Sequence, residues 1–135
     1  MSGKLLQRLS DASRSGVYRT TQDGSLVDAL AGSAHRISRV RLEGGKDRTL
    51  ERIAAALQFP GWFGGNWDAL EECLGDLSWL DAKGHVIVFE GALPDATLLE
   101  ILRDIAEAWK ARGVPFFAVF LDPARQAGLP DLYRE

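Results

Sequence analysis

The chain has one cysteine, Cys73, so no internal disulfide can form. No apolar run approaches the roughly 18 residues that a membrane helix needs. The opening residues, MSGKLLQRLSDASRSG, carry a basic residue but lack the continuous apolar stretch of a secretory leader. These absences point to a reducing, cytoplasmic compartment and to no membrane attachment. An excess of one charge is missing too: 26% of residues are charged and the net charge is −3. That argues against both a disordered chain and a highly basic nucleic-acid binder. Repeats and low-complexity tracts are absent. What is present is a 46% hydrophobic content over 135 residues, sufficient for one domain with a real core.

The small net charge conceals an asymmetry. Residues 1–60 carry a balance of +4, residues 61–107 a balance of −8, and residues 108–135 a balance of +1. So acidic a middle segment repels nucleic acid and attracts basic surfaces, and charge of this kind speeds association with a cationic partner. It also suits a merely solvated surface.

Residues 1–15 read as an opening helix or a loose arm, with Leu5, Leu6 and Leu9 at near-helical spacing. A β-prone run, residues 16–20, ends at the turn signal Gln22-Asp23-Gly24. Ser25 is placed to cap a short helix over 26–31, and residues 37–42 (ISRVRL) alternate as a half-buried strand does. Asp47 reads as the N-cap of a helix whose apolar residues Leu50, Ile53, Ala54 and Leu57 recur at three and four, stopped by Pro60 and Gly61. Asn66 is the expected cap of the next helix, running from Trp67 to about Leu74 with Gly75 in its C-terminal turn. Residues 85–89 (HVIVF) and 116–121 (FFAVFL) are continuous apolar runs, the mark of strands buried on both faces. Between them, residues 96–111 form a long helix with Leu98, Leu99, Ile101, Leu102, Ile105 and Trp109 on its inner side. Strands separated by helices imply right-handed crossovers, hence an α/β fold: a small parallel β-sheet of three or four strands packed with helices.

The informative segment is FPGWFGGNWDALEECL, residues 59–74. Two aromatics on a Gly-rich loop lead into a helix whose first two turns hold three carboxylates. Asp68 and Glu72 are four apart and share one helical face, with Glu71 one step round. Such a pair repels itself, which a helix tolerates at its N-terminus, where the macrodipole favours anions. Three readings fit: dipole complementarity with solubility, a general acid–base pair, or an anionic knob flanked by Trp62 and Trp67 and offered to a cationic pocket. A glycosidase-like pair needs carboxylates facing across a cleft, which neighbours on one helix do not supply. Aromatics beside charges are favoured at protein interfaces.

The segment resembles the signature of the barstar family: two adjacent aromatics, then Gly-x-Asn-x-Asp-Ala-Leu, an acid four residues after the Asp, then Cys-Leu. Those positions are Trp62, Phe63, Gly64, Asn66, Asp68, Ala69, Leu70, Glu72, Cys73 and Leu74. The resemblance spans residues 37–121, is specific in the signature and is topological elsewhere. It implies a small parallel sheet with helices packed on it, and a function without catalysis: inhibition of a basic, barnase-type ribonuclease or a ribonuclease toxin. Asp68 and Glu72 would occupy subsites for RNA phosphates, Trp62 would stack near the catalytic His, and Gly75 would lie at the rim. The expected partner-binding set is Trp62, Phe63, Gly64, Asn66, Trp67, Asp68, Glu71, Glu72, Gly75 and Asp76, with no catalytic residue, metal or cofactor. The chain is expected to be a monomer when free, and the alternative partner is a different basic toxin or protein. Residues 1–36 would be an N-terminal extension supplying an added strand and helix, and residues 122–135 a C-terminal tail.

Departures from the family pattern are Glu72 where Asp is common, Glu71 where an aromatic stands in the best-known member, and Ala108 nearest the acid that the long helix contributes, with Glu107 beside it. Cys73 reads as an inward-turned small hydrophobe. His35, placed in a loop, and His85, at a strand start, read as surface or partly buried histidines. Trp79 and Trp109 read as core or hinge packing, with residues 77–80 as a possible binding rim. Gly44-Gly45-Lys46-Asp47 lacks the upstream Gly and the Ser/Thr of a phosphate loop.

Overall fold

A computed structural model describes residues 2–133. In chain order the elements are helix α1 (Ser2–Leu9), a 3₁₀ turn (Ala12–Arg14), strand β1 (Gly16–Thr20), α2 (Gly24–Leu30), β2 (His35–Leu42), α3 (Lys46–Ala56), α4 (Trp67–Asp76), β3 (Gly84–Gly91), α5 (Ala96–Ala111) and β4 (Phe116–Leu121). The four strands make one wholly parallel sheet in the order β1-β4-β3-β2. The fold is α/β with a small parallel sheet packed by helices.

The topology follows from handedness. From β2 to β3 and from β3 to β4 the chain steps the same way across the sheet, so right-handed crossovers put α3, α4 and α5 on one face. The β1-to-β2 connection runs the full width in the opposite sense and puts α2 on the other. Side chains alternate accordingly. Ile87, Phe89, Phe116, Ala118 and Phe120 join the core under α3–α5 with Leu50, Ile53, Leu70, Leu74, Leu102 and Ile105. Val86, Val88, Phe117 and Val119 join a second core with Leu5, Leu9, Leu26 and Leu30 of α1 and α2. The unbroken apolar runs of β3 and β4 are thus explained by a helical layer on each side.

Several helix boundaries differ from the sequence expectation. The α2 helix starts at Gly24 rather than after Ser25; its N-cap, Asp23, makes no capping bond and instead meets Arg39 at 2.8 Å. Gly45 (φ 86) caps α3, leaving Asp47 inside the first turn, and α3 ends at Ala56, before Pro60 has any say. The α4 helix runs through Gly75 to Asp76 and stops at Leu77, whose φ of 48 is left-handed and whose N–H donates to the Cys73 carbonyl at 3.1 Å. Leu77 takes that costly conformation because its side chain is 2% exposed in the main core. By contrast α5 and β4 have the expected limits.

After β4, residues 122–132 are held in place. Both Asp122 oxygens accept backbone N–H groups, from Gln126 at 2.9 Å and Ala127 at 2.8 Å. The buried Arg19 of β1 donates to the Asp122 carbonyl at 2.9 Å and to the Asp131 carboxylate, while Leu129 and Leu132 are buried. No helix among the described residues is long and apolar enough to cross a membrane.

Candidate functional site

The site is built from the loop over residues 58–66 and from α4. Asn66, extended at ψ 173, caps the helix: its side-chain oxygen accepts the Ala69 N–H at 2.7 Å, as expected from its place before Trp67. Gly65 takes a φ of 70, so glycine relieves real strain there. The α4 helix buries Leu70, Cys73 and Leu74 and turns Asp68, Glu71, Glu72 and Asp76 to solvent. Asp68, Glu72 and Asp76 follow at four-residue steps, so they line one side of the helix with Glu71 adjacent. Among the described residues no Lys or Arg forms an ion pair with any of the four. Asp76 accepts the Ser78 N–H at 3.3 Å.

The aromatics divide by depth. Trp62 is 58% exposed, whereas Phe63 and Trp67 are half-buried against the main core. Phe63 meets Phe59 edge to face at 4.9 Å, Phe59 meets Trp79 at 5.9 Å, and Trp79 meets Trp62 at 6.4 Å. Each such pair contributes about 1 kcal/mol. Trp79 is fixed in turn by its N–H, donated to the Leu57 carbonyl at 2.9 Å. The exposed Trp62 ring therefore stands on a chain of rings rooted in the core. Trp79 is a supporting residue that sequence reasoning placed only as packing or rim; its distance from Trp62 in the chain hid the contact. Gly64 is exposed, and Gly75 is half-buried inside the last turn of α4, its Cα side facing Ile105.

Cys73 is buried; burial, then the charges of Glu72 and Asp76, push its thiol up, which disfavours the reactive thiolate. Glu107 is exposed and paired with Lys110 on its own helix at 3.6 Å. The histidines correct the sequence reading. His35 is the first residue of β2 rather than a loop residue, and His85 is 3% exposed, packed by Trp109 at 5.5 Å and Phe116 at 6.4 Å.

The fold defines the class: a small, doubly wound, parallel α/β protein. The family model described as barstar (barnase inhibitor) matches residues 37–121, well over half of the chain, and the chain belongs to that family. The match runs from β2 to the end of β4 and includes the whole candidate site. Members of the family are inhibitors rather than enzymes. A search of curated proteins returned no match.

Proposed function

We propose that the protein is an intracellular inhibitor of a barnase-type ribonuclease or ribonuclease toxin, acting by placing α4 and the Trp62 loop in a cationic active site. The observation that carries this reading is the group of four exposed acids on α4 with no ion-pairing cation among the described residues, beside an exposed Trp62, inside the family-matched segment. Like charges left together repel in the free protein, and the repulsion is relieved when a cationic surface meets them. Asp68 and Glu72 take the places of RNA phosphates against Arg, Lys and His of the nuclease. Trp62 stacks near its catalytic His. Glu71, Gly75 and Asp76 extend the contact, while Phe63, Gly64, Asn66 and Trp67 shape and support it. Inhibition is steric and electrostatic and involves no bond making. In this reading residues 37–121 are the inhibitor unit, 1–36 an appended strand and helical cover, and 122–135 a tail.

A second reading, a different basic toxin or protein as partner, is favoured by two local departures. Glu71 adds charge where the best-known family member has an aromatic, and Glu107, the acid nearest Ala108, is engaged by Lys110. Titration into a barnase-type ribonuclease, following RNA cleavage at low and moderate salt, separates the two. Stoichiometric inhibition that weakens with salt and is abolished by Asp68→Ala/Glu72→Ala supports the inhibitor and its site. Inhibition indifferent to that double substitution refutes the site. Absence of inhibition refutes the barnase-type partner in favour of the second reading.

A further inference from the structure

An α-helix leaves its last four carbonyls without partners of its own. In α4 two of them are taken by α5 and its C-cap. The Trp109 indole N–H donates to the Leu74 carbonyl at 2.8 Å, and an Arg112 guanidinium N–H donates to the Gly75 carbonyl at 2.8 Å. The Cys73 carbonyl is closed by Leu77. The two donors support each other, since the guanidinium carbon lies 3.9 Å from the centre of the Trp109 ring. Trp109 is itself 5% exposed and stacked on Phe116 of β4, so this end of α4 is anchored to the sheet. Gly75 lies where α4 meets α5: a side-chain carbon there would be in ordinary contact with Ile105 at 3.6 Å. At the other end Asn66 closes the first turn. Arg112 also sets a cation at the negative end of the helix dipole.

We propose that Trp109 and Arg112 are positioning residues for the acidic side of α4, holding its C-terminal turn so that Asp68, Glu72 and Asp76 meet a cationic partner in one fixed geometry. This rests on the reading of α4 as the binding surface. A surface ordered in advance avoids the cost of ordering it on contact. The gain falls on dissociation, because association is governed by long-range charge.

The test uses the full-length protein and three variants. Trp109→Phe keeps a ring without the N–H, Arg112→Met keeps the stem without a donor, and Arg112→Lys keeps a donor. In the free proteins, amide exchange over residues 74–77 is expected to be about tenfold faster in Trp109→Phe and Arg112→Met, as loss of one hydrogen bond implies, and near wild type in Arg112→Lys. Amides of β3 and β4 are expected to be unaffected. Against a barnase-type ribonuclease at low salt, the first two variants should dissociate faster by a similar factor with the association rate retained. Unchanged exchange over residues 74–77, or equal acceleration throughout β3 and β4, overturns the clamp. Faster local exchange with unaltered dissociation overturns its role in presentation. A wild-type protein that does not bind the ribonuclease overturns the inhibitor reading instead, and the exchange data still decide the clamp.

Discussion

Acidification should unfold this protein earlier than its carboxylates alone require, because of His85. Its ring packs against Trp109 and Phe116, its Nδ1 has no hydrogen-bond partner among the described residues, and it is 3% exposed. Burial, then the charges of Arg36 and His35, pull its pKa down from 6.5 to about 4. Between those values the unfolded chain binds a proton that the folded chain does not. Stability is therefore fully present above pH 6.5 and is lost as the pH falls toward 4. At about 1.4 kcal/mol per unit, the loss is about 2 kcal/mol at pH 5 and about 3 kcal/mol once both states are protonated. His35, also lowered by burial and by Lys83, acts in the same direction. Urea unfolding followed by tryptophan fluorescence should show the midpoint falling by about 1 M between neutral pH and pH 5. In His85→Phe, which fills the same ring-lined site without titrating, most of that slope should vanish. Equal slopes in the two proteins, or a flat wild-type profile over this range, would refute the reasoning.

Two further outcomes test the scaffold. Arg19→Met removes two charge-assisted hydrogen bonds, to the Asp122 carbonyl and to Asp131, both of which keep Arg125 as a donor, so a loss of roughly 2 kcal/mol and a melting point lower by roughly 6 °C are expected; a melting point within 2 °C of wild type by calorimetry would count against that account. Gly91, at φ 101, ends β3 opposite Leu42, and any side-chain carbon there collides with the Leu42 carbonyl oxygen. Gly91→Ala should therefore destabilise by about 3 kcal/mol in chemical denaturation, and a neutral substitution would mean that the strand end lies further off.

Much of this was legible in the sequence, and the physics says why. The α5 helix and β4 are long or uniformly apolar, and they end just before Gly113 and the Asp122-Pro123 break. Asn66 was recognisable as a cap because its bond is local, accepted from the Ala69 N–H three residues on. Asp23 and Asp47 were less transparent: Asp23 is diverted to Arg39, sixteen positions on in the chain, and the α3 cap is a glycine whose conformation no side chain advertises. His85 looked partly exposed because the ring that covers it, Trp109, arrives from a different element. The same long-range placement hid the Trp79 support of Trp62 and the hold of Arg112 on Gly75. The acidic side of α4 was visible because helix spacing alone decides which residues share a side, whereas its anchoring depends on what packs beneath it.

The pairing of β1 with β4 has a consequence in time. Gly16 lies beside Phe117, so during synthesis β1 leaves the ribosome about a hundred residues before its neighbour exists. The apolar residues of α1 and α2 wait equally long, since Phe117 and Val119 are made near the end. Strands β2, β3 and β4 close far shorter loops and can pair as they emerge, while the β1 contact carries the largest loop entropy in the sheet. The first of the four strands to be made is thus the last to lock, and pulse-labelled exchange should find the amides of β1 protected after those of β3.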